Sequence, residues 1–140
     1  MAIVSDEELL FELAQDSRRS FRELAKEFPI SDTAIRKRVN RLTKEGVIKR
    51  YTIEIDHRKL GYELTSFIGF DTEANAYTSI LDTIKDWSEV RSIFQTSLDH
   101  DFLMECWFKS NDELTIFIKR LENLPGVTHV CPATVIQRLK

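Results

Sequence analysis

The first sixty residues carry three short runs of apolar residues at helical spacing, each beside a residue that begins or ends helices. Ser5 and Ser20 are each followed three positions later by a glutamate, the capping-box pattern that starts a helix. Ser31 can cap a third helix, Pro29 ends the one before it, and Gly46 suits the position after the third. The apolar residues of the three runs are Leu9, Leu10 and Leu13, then Phe21, Leu24, Ala25 and Phe28, then Ile35, Val39 and Leu42. The pattern therefore predicts three consecutive helices.

The period of the pattern changes from helical to alternating after Gly46. Tyr51, Ile53 and Ile55 alternate with polar residues, which is typical of a half-buried strand. Asp56 and Gly61 then favour a turn in the sequence "DHRKLG". We expect this strand and turn to link two domains, residues 1–60 and residues 61–140.

The second of these domains repeats its apolar pattern after 37 residues. The helical positions Tyr77, Ile80, Leu81, Ile84 and Trp87 correspond at this shift to Leu114, Phe117, Ile118, Leu121 and Leu124. The strand-like run from Leu64 falls on the run from Asp101, and Val90 falls on Val127. The repeat predicts a βαββαβ, ferredoxin-like domain, so the fold class is α+β with an N-terminal helix-turn-helix. Its helices are short, and we expect one face of the sheet to be left for another subunit.

Positive charge is concentrated in the third predicted helix and the residues after it. The chain has 20 Lys and Arg against 23 Asp and Glu, a net charge of −3, yet residues 31–51 carry seven basic and two acidic residues. On a helix of 100° per residue, Thr33, Lys37, Asn40, Arg41 and Lys44 lie opposite the apolar stripe, with Arg36 at the edge. This layout is typical of a helix that enters the DNA major groove, although a solvated charged face is the ordinary alternative.

The residue types of the basic segment suggest separate tasks on DNA. Arg and Lys read guanine edges, Asn reads adenine, and other cations neutralise phosphates. The candidates for base contact are Thr33, Arg36, Lys37, Asn40 and Arg41, with Ser31 at the start of the helix. Lys44, Lys49 and Arg50 are candidates for phosphate contact, because they lie beyond the N-terminal turns that enter the groove.

Several other classes of function find little support in the residues. Cys106 and Cys131 form neither a disulfide framework nor a zinc spacing, so we expect a reduced, cytoplasmic protein without a metal or cofactor. His57, His100 and His129 lack the spacing of a metal site, and we expect them in turns or beside strands. No nucleophile or phosphate loop indicates an enzyme, and no apolar run is long enough for a membrane span.

The segments "RKRVNRLTKEGVIKRYTIEID" and "GVTHVCPATVIQRLK", together with the domain order, resemble the Lrp/AsnC family of transcription regulators, and archaeal members above all. The resemblance implies a dimer built through the C-terminal domains, often assembled further into tetramers or octamers. It also implies binding to palindromic promoter sites on double-stranded DNA, frequently tuned by an amino acid held between subunits. Pro29 stands where the family commonly has glycine between helices 2 and 3, so we expect their crossing to differ slightly.

The loop "TSLDHDFL" resembles the family's effector loop, in which glycine precedes aspartate by three positions. Asp101 falls on the aspartate, but Leu98 falls where glycine is usual. Asp101 or Asp99 can bind an ammonium group, and Ser97 and Thr134, equivalent in the repeat, can donate to a carboxylate. We expect both hydroxyl residues near this loop. Because Leu98 narrows the cleft, the sequence predicts weak or absent amino-acid binding, or a preference for a small or apolar side chain.

Two other functions are compatible with the same domain order. Siroheme decarboxylases resemble this architecture and would use histidines and arginines around a tetrapyrrole. A ligand-binding regulatory module would act on another protein without binding DNA. The cations of the third helix favour DNA binding over both.

Overall fold

The structure, a computed structural model, describes residues 5–97 and 99–140. It divides into two compact units, the first ending at Glu54 and the second running from Ile55 to Lys140. The elements in order are α1 (Asp6–Gln15), α2 (Phe21–Glu27), α3 (Asp32–Lys44), a 3₁₀ turn (His57–Leu60), β1 (Leu64–Thr72), α4 (Tyr77–Ile84), β2 (Val90–Gln95), β3 (Phe102–Phe108), α5 (Asn111–Glu122) and β4 (Val127–Thr134).

The three helices of the first unit begin where the sequence predicts, and α2 and α3 also end there. The Ser5 and Ser20 hydroxyls each accept a hydrogen bond from the backbone N–H three residues on, and both capping boxes are complete. Ser31 caps α3 in the same way by accepting from the N–H of Ala34. Gly46 follows α3 with a φ of 75°, a conformation that glycine adopts without strain. The helices pack around a small aliphatic core of Leu9, Leu13, Leu24, Ile35 and Val39.

The prediction of a linker strand at residues 51–55 is wrong. These residues form neither helix nor strand, and Ile53 is 76% exposed. A strand is stable only when a neighbouring strand satisfies its backbone groups, and the four described strands pair with one another in a single sheet. The turn that follows forms as expected, with Asp56 capping the 3₁₀ turn and Gly61 ending it at a φ of 88°.

The second unit is a four-stranded antiparallel sheet with two helices, as the ferredoxin-like pattern predicts. The strand order is β2-β3-β1-β4, and β1 pairs with both β3 and β4. Buried residues of α4 and α5 pack with the alternate strand residues Ile68, Phe70 and Met104 in one core. Strand residues between these point the other way, and Phe67 and Phe94 remain 37% and 52% exposed. The face of the sheet opposite the helices is therefore partly exposed among the described residues.

The 37-residue repeat holds for part of the unit and fails for its first strand. Ile80 and Ile84 of α4 and their equivalents Phe117 and Leu121 of α5 are all buried. At the same shift, however, buried Phe70 would fall on Trp107, which lies on the opposite face of β3 from the buried Phe108. The core positions of β1 and β3 correspond at a shift of 38 residues. Those of β1 are Leu64, Ser66, Ile68 and Phe70, and those of β3 are Phe102, Met104, Cys106 and Phe108. A strand shifted by one residue turns every side chain to the other face, so the predicted alignment of β1 with β3 was one residue out.

The second strands of the two copies share a local irregularity. The pairing of β2 with β3 passes from Val90 to Ser92 and skips Arg91. The pairing of β4 with β1 passes from Val127 to His129 and skips Thr128. Both strands thus carry a bulge at the same position of the repeat, 37 residues apart.

Candidate nucleic-acid interface and effector loop

The central strip of α3 is exposed and has no partners among the residues that the structure describes. Ile35 is fully buried on one side of the helix, while Lys37, Asn40 and Lys44 are exposed on the other. These three side chains make no hydrogen bond or ion pair with any described residue. Thr33 is also exposed, and its backbone N–H donates to the carboxylate of Asp32 at 2.8 Å. The strip therefore offers two cations and one amide to an outside partner.

The two flanks of α3 are tied to neighbouring helices instead. On one flank, the guanidinium of Arg41 donates to Asp6 at 2.5 Å and to Glu45 at 3.0 Å. The hydrogen bond to Asp6, with the charges of Asp6 and Glu45, raises the pKa of Arg41 above its usual range. On the other flank, the Arg36 guanidinium lies over the Phe21 ring at 5.1 Å from its centre. Both arginines are thus engaged within the chain, which the helical wheel does not reveal.

The remaining DNA candidates lie at the two ends of α3. The Ser31 hydroxyl is committed to the N–H of Ala34 at 3.2 Å. Lys49 and Arg50 follow the helix and are exposed. Arg50 lines an apolar cleft of the first unit together with Leu10 and Leu13.

A network of hydrogen bonds fixes the start of β3 to the end of β1. The backbone N–H of Asp101 donates to the Asp71 carboxylate at 2.8 Å, and the N–H of Thr72 donates to the Asp101 carboxylate at 3.1 Å. His100 Nδ1 lies 3.3 Å from the other oxygen of Asp71. The Asp101 N–H is the main cause that holds the pKa of Asp71 below its usual value, and His100 and His129 add to it. Asp71 was missed by sequence reasoning, although a carboxylate at the end of an apolar strand was a signal for it.

Gly69 makes room for the imidazole of His100. A Cβ atom at Gly69 would stand 2.2 Å from the His100 ring, closer than carbon atoms can approach. The glycine is required by space and not by its backbone angles, because its φ is not positive.

The effector-loop candidates are only partly brought together. Ser97 and Asp99 are exposed in the loop, Asp101 is held as described, and Leu98 lies outside the described residues. Thr134 pairs with Ser66 near the start of β1, whereas Asp101 bonds to Thr72 at its end. Six residues of strand separate the two points, about 20 Å. The prediction that Thr134 lies near the loop is therefore wrong within one chain, because antiparallel pairing carries the end of β4 to the far end of β1.

A small cleft beside Asp101 was not foreseen from the sequence. It has a volume of about 240 Å³ and includes Tyr77, Gln95 and Phe102 among its lining residues. The rings of Tyr77 and Phe102 stack with their centres 6.4 Å apart. The cleft thus combines a carboxylate with an apolar wall.

Cys106 and His57 make packing and hydrogen-bond contacts that indicate structural roles. Burial is the main cause that raises the pKa of the Cys106 thiol to about 12, which fits a thiol packed as a small apolar group. His57 lies in the 3₁₀ turn, with Nε2 2.7 Å from the Thr65 hydroxyl and its ring stacked on Trp107. Across residues 5–97 and 99–140, no three His, Cys, Asp or Glu side chains are grouped to hold a metal ion. No helix within the same ranges is long and apolar enough to cross a membrane.

Comparison with known proteins gives matches to both units. Residues 5–49 match the family model of winged helix-turn-helix DNA-binding domains, and residues 65–140 match that of the Lrp/AsnC ligand binding domain. The HTH-type transcriptional regulator LrpA of Pyrococcus abyssi is 38% identical over 136 residues, 96% of this chain and 96% of its own. LrpA of Pyrococcus horikoshii is 37% identical over 136 residues, with the same coverage of both chains.

Two solved structures share the fold over almost the whole chain. AsnC of E. coli superposes with a TM-score of 0.85 at 24% identity, covering 99% of this chain and 96% of that one. A transcriptional regulator of Neisseria meningitidis, solved in complex with L-Met, superposes with a TM-score of 0.90 at 20% identity, covering 100% and 93%. With a basic α3 in the first unit and a βαββαβ sheet in the second, the chain belongs to the Lrp/AsnC family of transcriptional regulators, with a helix-turn-helix DNA-binding domain and a ligand-binding domain.

Proposed function

We propose that residues 1–60 bind palindromic promoter sites through α3 and that residues 61–140 assemble the subunits. The observation that carries the proposal is that the exposed strip of Lys37, Asn40 and Lys44, opposite the buried stripe of α3, has no partner in residues 5–97 and 99–140. Lys37 and Asn40 lie within the helix where base edges are read, and Lys44 lies at its end, where phosphate contact is expected. Lys49 adds a second phosphate contact beyond the helix.

The first experiment measures the affinity for duplex DNA as a function of salt. Binding to phosphates releases counterions, so the affinity should fall steeply as salt is raised. Lys44→Ala or Lys49→Ala should weaken binding to all sequences and flatten the dependence on salt. Lys37→Ala or Asn40→Ala should relax the choice of base by about 1–3 kcal/mol per lost contact. A protein that does not bind duplex DNA even at low salt refutes the proposal.

We propose that the chain forms a dimer, which the needs of the DNA site favour, and that dimers assemble further into tetramers or octamers, as the family resemblance implies. One helix-turn-helix buries too little of the groove for tight specific binding, whereas a two-fold dimer places two recognition helices whole turns apart. The open sheet face with Phe67 and Phe94, and the exposed apolar residues Tyr51 and Ile53, provide surfaces that a second copy can cover. Light scattering that returned the 16.4 kDa monomer at micromolar concentration would contradict the dimer.

We infer that any amino-acid effector binds at the loop of residues 97–101 and that it binds weakly or favours a small or apolar side chain. The Neisseria structure holds L-Met, and in this chain Asp101 and Asp99 provide carboxylates for an ammonium group. Because a leucine side chain is larger than the glycine usual at position 98, Leu98→Gly should open the cleft and strengthen the binding of some amino acid. Calorimetry with the standard amino acids on both proteins tests this, and tight binding that Leu98→Gly leaves unchanged would place the pocket elsewhere.

A regulator of transcription works beside the chromosome, and we therefore place the protein in the cytoplasm and expect no catalytic activity. The relatives at 38% and 37% identity carry the name of a transcriptional regulator. A tetrapyrrole pigment that co-purified with the protein would favour a decarboxylase instead. Loss of all DNA binding with retained ligand binding would favour a regulatory module that acts on another protein.

A further inference from the structure

The carboxylate of Asp6 holds one flank of the recognition helix α3. Its oxygens lie 2.5 Å from Arg41 and 3.8 Å from Arg38, so that one acid in α1 faces two arginines of α3. Arg41 is held from a second side by Glu45 at 3.0 Å. No comparable acid contacts Lys37 or Lys44 among the described residues. The positive charge of α3 is therefore neutralised on one flank and available in the centre.

Asp6 is well placed to keep this position without support from the arginines. It is the first residue of α1, where the partial positive charge of the helix N-terminus favours an acid. The helix itself is anchored by the buried Leu9 and Leu13, and its start is fixed by the capping box of Ser5 and Glu8. The Asp6 carboxylate is thus a fixed anion that accepts a hydrogen bond from Arg41, as a phosphate of the DNA backbone would.

We propose that Asp6 is a specificity-determining residue, which occupies Arg41 and Arg38 in place of DNA phosphate. This proposal rests on the proposed DNA binding by α3. On a non-specific sequence, an arginine that leaves Asp6 gains only another anion, so the exchange adds little to the affinity. At the correct site, Arg41 can donate two hydrogen bonds to one base edge, whereas in the structure only its Nη2 donates to Asp6 and its Nη1 donates to Glu45. Asp6 therefore lowers the affinity for non-specific DNA more than the affinity for the correct site.

The test compares Asp6→Asn with Glu7→Gln. Glu7 is the next residue of α1, is exposed and contacts no arginine of α3, so its variant makes the same change in net charge without releasing Arg41. The probes are a mixed-sequence duplex of about three helical turns and a duplex carrying the best site selected from a random pool. Circular dichroism establishes that both variants keep their helices.

Asp6→Asn should raise the affinity for the mixed duplex about two- to fivefold more than Glu7→Gln does. Its plot of log affinity against log salt should become steeper by about one unit, because one more arginine reaches a phosphate. The ratio of specific to non-specific affinity should fall by a similar factor of about two to five. In an Arg41→Ala background, most of the difference between the two variants should disappear.

The outcomes separate this proposal from the function on which it rests. If the parent binds DNA but Asp6→Asn matches Glu7→Gln in affinity and in salt dependence, Asp6 has no special role and the inference is overturned. If the difference persists unchanged in the Arg41→Ala background, Asp6 does not act through Arg41 and the inference is likewise overturned. If parent and both variants ignore DNA at low salt, the DNA-binding proposal fails, and this one falls with it.

Discussion

The interactions that stabilise the first unit of the chain differ from those that stabilise the second. Among the described residues, five buried aliphatic side chains form the core of the first unit. Its helices also rely on serine caps and on surface ion pairs such as Arg19 with Glu12 and Glu27. The core of the second unit contains eleven buried residues, including the stacked or edge-on rings of Phe70, Phe102, Phe108, Trp87 and Phe117. The smaller unit thus has less apolar area to bury and depends more on the ends of its helices.

This difference matches the functions that we propose for the two units. A helix that reads DNA needs one face free of packing, and α3 keeps only Ile35, Val39 and Leu42 buried. A sheet that supports an interface between subunits needs a rigid frame behind it, which aromatic packing provides. Four variants test this difference. Both tryptophans lie in the second unit, so that tryptophan fluorescence follows the unfolding of that unit alone.

The largest effect is expected from Phe117→Ala in α5. Phe117 is 1% exposed and its ring meets those of Trp87 and Phe108, each with centres 5.2 Å apart. Removing it should lower the free energy of unfolding of the second unit by about 3–5 kcal/mol, measured by denaturant titration with tryptophan fluorescence. The neighbouring Ile116→Ala is the control, because Ile116 is 66% exposed. Equal losses in the two variants would contradict the assignment of the core.

A somewhat smaller effect is expected from Leu24→Ala in α2. Leu24 is fully buried in the first unit, and its loss should lower the stability of that unit by about 2–5 kcal/mol. Far-UV circular dichroism follows the helices, while the fluorescence midpoint of the second unit should not move. Lys26→Ala in the same helix should change the stability by less than about 0.5 kcal/mol. A joint shift of both signals with Leu24→Ala would show that the units unfold together.

Ser20→Ala should destabilise the first unit by about 1 kcal/mol, because it removes the hydroxyl that accepts the N–H of Glu23 and donates to its carboxylate. Ser17→Ala, a change at an exposed serine just before the helix, should have little effect. Thermal unfolding followed by circular dichroism measures both. A loss of the same size in Ser17→Ala would mean that the cap contributes nothing of its own.

The smallest effect is a change of the second unit's stability with pH. The pKa of Asp71 is lowered in the folded chain, first by the N–H of Asp101 and also by His100 and His129. A carboxylate with a lowered pKa stabilises the fold above its unfolded pKa of about 3.9, and this contribution is lost as the pH falls through the folded value. The stability difference between the parent and Asp71→Asn should therefore shrink as the pH falls into the acid range. A difference that grew in acid would contradict the lowered pKa.

The features that the sequence predicted well depend on neighbours along the chain. The serine caps, the end of α2 before Pro29 and the turn at Gly46 each involve residues within four positions. The features that it missed involve distant residues. Asp6 and Arg41 are 35 positions apart, and only the packing of α1 on α3 brings them together.

Sheet pairing accounts for the other differences. The place of Thr134 depends on the direction in which β4 returns along β1, and the repeat alone did not provide that direction. The alignment of β1 with β3 needed knowledge of which face is covered, because two alignments one residue apart match the apolar letters almost equally well. The alternating pattern at residues 51–55 predicted a strand without indicating its partner, and the four strands that the structure describes pair with one another instead.

The bulges at Arg91 and Thr128 bear on the history of the second unit. Bulges are retained within protein families, so two of them at one position of a repeat point to a single ancestral segment that was copied in tandem. After the copying, one residue was gained or lost between the first strand and the helix, since Phe70 precedes Ile80 by ten positions and Phe108 precedes Phe117 by nine. The connection could absorb that change, whereas within a strand it would have reversed the faces. The spacing of the strands and helices thus reflects the duplication, and the connection from the first strand to the helix is where the two copies differ in length.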